Sequence, residues 1–384
     1  MAKHAELGPS GASRWMRCQG SVVLSADLPN PSTEFAAEGS VAHEIGYLCL
    51  RDGQDATYFI GKSMSHDGFT FTVSPEMASH VQTYVDYVRQ QYGTPLYEQR
   101  LPIMHLTGEQ DAHGTADAVI IHDRTLHVMD LKFGMGVKVM AEENEQLQIY
   151  ALAALHQYEM VADFDTIVLH IIQPRLDHID TWELPVTDLL EFAEEVRTAA
   201  RWVAEAKTDL QEKHFVVGEK QCKFCPAKGN CKALASHVLN TVRDDFTDMT
   251  QPITDLNESR DLDLLSLGHL MAAVPLIEEF CKSIRARVER ELLDGVAVPG
   301  FKLVEGRRGN RKWIDETLAE TYLKSVLEDP YERKLISPTT AAKMLKDDPE
   351  FPLLVTQSEG KPSVAPASDK RPALSVGITA DDFT

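Results

Sequence analysis

Positive charge is scarce in this 384-residue chain: 38 Lys and Arg stand against 59 Asp and Glu, a formal net charge of −21. That balance argues against a protein that coats nucleic acid without preference, because polyanion binding depends on clustered cations. It leaves room for an enzyme that meets DNA on one basic surface while its carboxylates hold cations. Long apolar runs are missing too. The opening Met1-Ala-Lys-His-Ala-Glu-Leu-Gly-Pro-Ser offers no core for a secretory signal, and no later stretch approaches the roughly 18 apolar residues a membrane-spanning helix needs. A cytoplasmic protein with no membrane partner is expected. Cysteine is sparse at six residues. In a cytoplasmic chain such thiols are metal ligands, catalytic groups or core residues rather than disulfides.

What is present is ordinary for a globular protein: 43% hydrophobic and 25% charged residues, enough to bury a sizeable core. The length exceeds one usual domain, so one large catalytic body with a smaller appendage is expected. Apolar periodicity predicts helices over 10–28, 33–51 (with Thr33 as cap) and 75–91. The period then changes. Tyr97–Met104, Gly114–Asp123 and Thr125–Phe133 read as a β-meander, followed by a helix over 141–157, an apolar strand at 166–173 and an edge strand from Asp180. Helices are expected over 187–212 and 260–294. From about Ala297 the chain turns rich in charge, Pro and Gly. The expected division is a domain over 1–240, a mainly helical region over 241–350 and a flexible tail over 351–384.

The chemistry gathers around Gly114-Thr-Ala-Asp117 on one strand and Val128-Met-Asp130-Leu-Lys132 on the next. Strand side chains alternate faces, so Asp130 and Lys132 share one side, and an adjacent antiparallel strand can bring Asp117 beside them. Two carboxylates facing one cleft repel unless a cation lies between them, and hard oxygen ligands suit Mg²⁺ or Mn²⁺. Such an ion activates water for phosphodiester hydrolysis, with Lys132 orienting that water or stabilising charge on phosphorus. A surface ion pair between Asp130 and Lys132 is the competing reading of the same spacing.

Cys222-Lys-Phe-Cys225-Pro-Ala-Lys-Gly-Asn-Cys231 crowds three thiols into ten residues, with Cys18 the best candidate for a fourth ligand. Four thiolates, or three with His214 or His237, also suit zinc. Cys49 and Cys281, among apolar neighbours, are expected to be inert core residues.

The Asp117 and Asp130/Lys132 pair, the helical His43 upstream and the downstream Gln146-Leu-Gln-Ile-Tyr150 together resemble the RecB-like branch of the PD-(D/E)XK nuclease superfamily. The resemblance covers roughly residues 10–235. It implies an α/β fold with a mixed central sheet flanked by helices, extended here by a helical C-terminal region. It also implies metal ligation by His43, Asp117 and Asp130, catalysis by Lys132, and a Gln146/Tyr150 helix bordering the site. Glu98 is a weaker candidate. One cysteine before this core and three after it are similar to the iron–sulfur staple of AddB-type and CRISPR-associated RecB-like exonucleases. That implies a [4Fe–4S] cluster on Cys18, Cys222, Cys225 and Cys231, with structural Zn²⁺ as the alternative.

Arg307, Arg308, Arg311, Lys312 and Trp313 form the most basic run of the C-terminal half, fit to contact phosphates and stack on a base; a solvated hairpin tip is the competing reading. The resemblance to phage and prophage proteins implies an exonuclease acting in the bacterial host cytoplasm, processing DNA ends beside a single-strand annealing or other recombination protein. A catalytically inactive DNA-binding scaffold is the alternative, and its mark would be a broken acidic set.

Overall fold

The computed structural model describes residues 5–28, 32–245, 264–303 and 316–326. Two compact units divide the chain, residues 1–298 and 299–384. The first is mixed α/β. Five strands form one sheet in the order β3-β4-β5-β6-β7: β3 (Thr94–Pro102), β4 (His113–His122), β5 (Thr125–Leu131), β6 (Thr166–Gln173) and β7 (His178–Pro185). All neighbours are antiparallel except β5 and β6, which run parallel through the crossover helix α6 (Glu145–Tyr158).

Each sheet face buries its own core. Leu126 and Val128 of β5 and Ile167, Leu169 and Ile171 of β6 pack on α6, on α7 (Val186–Thr208) and on Trp15 of α1 (Ala12–Trp15). The alternate residues Met129, Leu131 and Ile172 face α3 (Glu34–Asp52) and α4 (Pro75–Arg89), whose contributions include Ile45, Val81 and Val85. Helix starts follow local chemistry. Thr33, Ser74 and Asn144 accept hydrogen bonds from Ala36, Met77 and Leu147 amides and cap α3, α4 and α6. Asn144 is also why α6 begins at Glu145 rather than at Ala141: the Ala141 amide donates instead to Asp180 Oδ2 at 2.7 Å.

The N-terminal segment, expected to be largely helical over 10–28, carries α1 and α2 (Gly20–Ser25) on either side of Cys18. A hairpin of β1 (Ser63–His66) and β2 (Phe69–Thr72) was not expected, although its Asp67-Gly68 turn, both residues at positive φ, is a strong hairpin signal. The short α5 (Met104–Thr107) links β3 to β4.

Beyond α7 come α8 (Glu219–Lys223), α9 (Lys232–Asp245) and α10 (Leu264–Leu293). Leu276 of α10 packs with Cys222, Leu234 and Val238. Glu279 binds Lys228 and Lys282, each at 2.8 Å, and Arg287 donates to the Gly229 carbonyl. Gly229 permits this closeness, since a Cβ there would lie 2.9 Å from the Ser283 carbonyl oxygen. Docking by one face leaves Cys281 on the other, and it is exposed, not a core residue as expected; Cys49 is fully buried. The second unit contains α11 (Glu316–Val326), with a Glu320–Lys324 ion pair one turn apart. Among the described residues no helix is long and apolar enough to cross a membrane.

The two lysines, through hydrogen bonds and charge, lower the Glu279 pKa from 4.5 to about 2. A lowered carboxyl pKa contributes stability that is present above pH 4.5 and lost as pH falls through about 2. Glu279→Gln is therefore expected to loosen α10 by about 1 kcal/mol at neutral pH. Amide hydrogen exchange over 264–293 should be faster in the variant at pH 7, with the difference from wild type gone near pH 2.

Candidate active site

The β4–β5 ladder runs only from His122↔Thr125 to Ala118↔Met129, stopping one residue short of Asp117 and Asp130. The Leu131 amide donates to Asp117 Oδ2 at 2.7 Å, so the side chain serves as its acceptor where the ladder has ended. Asp117 Oδ1 lies 2.9 Å from Nδ1 of His43, which α3 carries to the strand. Burial acts to lower the His43 pKa, but the charge and hydrogen bond of Asp117 outweigh it and lift the value to about 9. His43 and Asp117 therefore form an ion pair at neutral pH.

Asp130 is 4% exposed. Burial raises its pKa, Lys132 opposes that rise and Asp117 adds to it. Lys132 Nζ sits 2.7 Å from Asp130 Oδ2, so this buried oxygen is held by an ion pair. The same ammonium donates to Gln146 Oε1 at 2.7 Å, and Gln146 Nε2 donates to the Tyr150 hydroxyl at 3.2 Å. All six residues singled out by the motif thus meet in one region: His43 on Asp117, and Asp130, Lys132, Gln146 and Tyr150 in sequence. The competing reading of a surface Asp130–Lys132 pair does not hold, because Asp130 is buried.

Glu98 belongs to the same group. It faces Asp117 at the one skipped position of the β3–β4 register and sits at φ 48°. Burial first, then the nearby Asp117 charge, push its pKa up to about 7 against the pull of His43. Gly114 of the Gly-Thr-Ala-Asp stretch has a packing reason to be glycine: a Cβ there would lie 2.6 Å from the Tyr150 ring and 2.7 Å from Pro9.

Sequence reasoning missed Gln173. Only 1% exposed, it closes the apolar strand β6 and clasps the loop after Lys132. Its Nε2 donates to the carbonyls of Gly134 and Val137, each at 2.8 Å, and its Oε1 accepts from the Val139 amide at 3.1 Å. His178 Nε2 adds a 2.7 Å bond to the Val139 carbonyl. A lone amide ending a run of aliphatic residues, just before Pro174, was the available signal.

Cys18, Cys222, Cys225 and Cys231 line one small apolar cavity with Ser21, Leu24, Phe215 and Leu234. All are free thiols. Burial, with the other cysteines adding, pushes the Cys222 thiol up to about 11 and raises Cys18. Gly20 lets the segments meet, since a Cβ there would come within 2.5 Å of the Phe215 ring. His214 is not among the lining residues; its Nδ1 accepts the Gln211 amide. Among the described residues, no group of three or more His, Cys, Asp or Glu side chains is already gathered so as to hold a metal ion. Arg307, Arg308, Arg311, Lys312 and Trp313, and the tail over 351–384, lie outside the described residues.

Fold and site define a mixed α/β protein with a buried aspartate, a second, partly buried one and a lysine at the point where two central strands part. The chain belongs to the DUF2800 family, described as "Protein of unknown function (DUF2800)", whose model matches residues 4–372. A crystal structure of SSO0001 is similar to it at 17% identity, covering 58% of this chain and 84% of that one, with a TM-score of 0.26. That likeness is too slight to support an argument.

Gln173→Ala removes three hydrogen bonds and is expected to destabilise the protein by about 2–3 kcal/mol in urea unfolding. The Val139 amide should lose its protection against hydrogen exchange, while those of α4 keep theirs.

Proposed function

We propose that this protein is a Mg²⁺- or Mn²⁺-dependent deoxyribonuclease of the RecB-like PD-(D/E)XK type, acting on DNA ends as an exonuclease. The observation that carries the reading is the buried Asp130 carboxylate, set beside Asp117 and Lys132. Two carboxylates this close are held without a metal by two cations of the chain, His43 and Lys132. A divalent ion brings the same two charges, and the carboxylate oxygens are the hard donors that suit Mg²⁺ or Mn²⁺.

In this reading Asp117, Asp130 and, once its proton has left, His43 would hold the ion, which would polarise the phosphodiester and lower the pKa of bound water. Lys132 turns from Asp130 towards the phosphate, keeping its charge where negative charge develops. Gln146 fixes the ammonium through its Oε1, and Tyr150 fixes Gln146. Gln173 holds the loop that follows Lys132. DNA is the partner in this proposal, together with a single-strand annealing or other recombination protein in the bacterial host cytoplasm of a phage-encoded enzyme. A non-cutting scaffold is disfavoured by the complete set from His43 to Tyr150.

Cleavage of end-labelled linear DNA with Mn²⁺ is expected to fall at least about 100-fold in Asp130→Ala and in Lys132→Ala. Activity surviving both substitutions would remove the site, and no cleavage by wild type on linear or circular DNA would favour the scaffold. Binding gives a second readout. At a Mn²⁺ concentration about 100 times Kd, wild type should gain about 2.7 kcal/mol of stability, and Asp117→Asn with Asp130→Asn should gain none.

We also propose a [4Fe–4S] cluster on the four cysteines; the reading is supported by their lining of one apolar cavity, where the chain from Cys18 to Cys222 closes on itself. Anaerobic purification should yield a brown protein, with colour lost in Cys225→Ser. A colourless protein with stoichiometric zinc would replace the cluster by a zinc site.

A further inference from the structure

α6 serves two surfaces. Gln146 and Tyr150 turn towards the candidate site, whereas Gln148 lines a groove between α1, α6, β7 and α7 of about 510 Å³. The groove is acidic. Glu143, Asp188, Glu191 and Glu195 line it, and none has a basic side chain within 4 Å among the described residues. Its two cations are Arg17, ion-paired to Glu145, and Lys220. Trp182 and Phe192 supply aromatic surface. A second groove of about 510 Å³ shares Met16, Arg17, Glu195 and Ala199 with the first and ends at Trp202, which is 45% exposed.

One buried group points to what fits there. Gln148 is 4% exposed, lines the groove, and its side-chain amide makes no hydrogen bond with any described residue. It offers one acceptor and two donors, the complement of a peptide backbone group. From Asp188 to Trp202 α7 rises about 21 Å, the span of roughly six extended residues. Asp188, Glu191 and Glu195 follow each other at three and four residues, so their side chains stand about 5–6 Å apart on one face. Alternate side chains of an extended peptide recur at about 7 Å on one side. Guanidinium groups can also stack on the Trp182 and Trp202 rings.

We propose that this groove binds an extended protein segment bearing Arg or Lys at alternate positions, its backbone held by Gln148 and its cations by Asp188, Glu191 and Glu195. Phosphate-bearing ligands are repelled by the same carboxylates. The proposal is independent of the chemistry at Asp130, so either stands if the other fails.

Fluorescence anisotropy of the full chain with a fluorescein-labelled six-residue peptide alternating arginine and alanine tests it. Wild type should bind saturably, more weakly at high salt. The double variant Glu191→Lys/Glu195→Lys should bind at least about tenfold more weakly, equivalent to about 1.4 kcal/mol. Asp67→Lys/Glu76→Lys, the same charge change on elements of the opposite sheet face, should bind within about twofold of wild type. Gln148→Leu, which keeps every charge, should also weaken binding and serves if the charge-reversed protein does not fold. The absence of saturable binding, an equal loss in both charge-reversed variants, or equal affinity for the glutamate–alanine peptide would overturn the proposal.

Discussion

Asp117 and Asp130 carry like charges at neighbouring positions where β4 and β5 part, and much of the nearby structure offsets their repulsion. His43 reaches from α3 to one carboxylate, and Lys132 lies against the other. The Leu131 amide takes an Asp117 oxygen where no ladder partner remains. Gln146 and Tyr150, one turn apart on α6, fix the lysine from the other side of the sheet. Because Asp130 is buried and its neighbours are only partly exposed, each partner weighs more than it would at a surface, and loss of one leaves a neighbour uncompensated. The arrangement therefore constrains the placement of α3 and α6 on opposite faces of one sheet.

A second constraint ties the ends of this unit together. Cys18 lies between two short N-terminal helices, and its three companions lie some two hundred residues later, yet all four thiols border one cavity. Gly20 admits the Phe215 ring, and α10 rests on the same segment through Leu276, Glu279 and Arg287. Closure of so long a loop costs entropy that these contacts must offset. A bound cluster or zinc ion would add a covalent tie at the place where packing already brings the segments together.

Much of this was legible in one dimension. Thr33 and Asn144 mark helix starts because an oxygen near the first free amides is a local property. Aliphatic runs placed β5 and β6, and strand alternation put Asp130 and Lys132 on one side, because both are local geometry; His43, Gln146 and Tyr150 entered through the family resemblance alone. Other features were hidden for equally physical reasons. Asn144 capping moved the start of α6 past Ala141, since the Ala141 amide had a partner on β7 that no neighbouring residue reveals. Cys281 looked like a core residue by its neighbours, but only the docking of α10 decides which face meets solvent. Gln173 and Gln148 are unremarkable amides in sequence; tertiary packing makes one a clasp and sets the other in the wall of a groove.

The sequence by itself determined the alternation of helices and strands, the identity of the acidic, basic and amide groups, and the cysteine spacing, because each rests on interactions within a few residues. Tertiary structure alone decided that the β4–β5 ladder ends one residue short of Asp117 and Asp130, that Asp130 is buried rather than a surface charge, and that an acidic groove runs along α7. Those outcomes depend on desolvation and on which distant segments pack together, and neither is a property of any residue's neighbours in the chain.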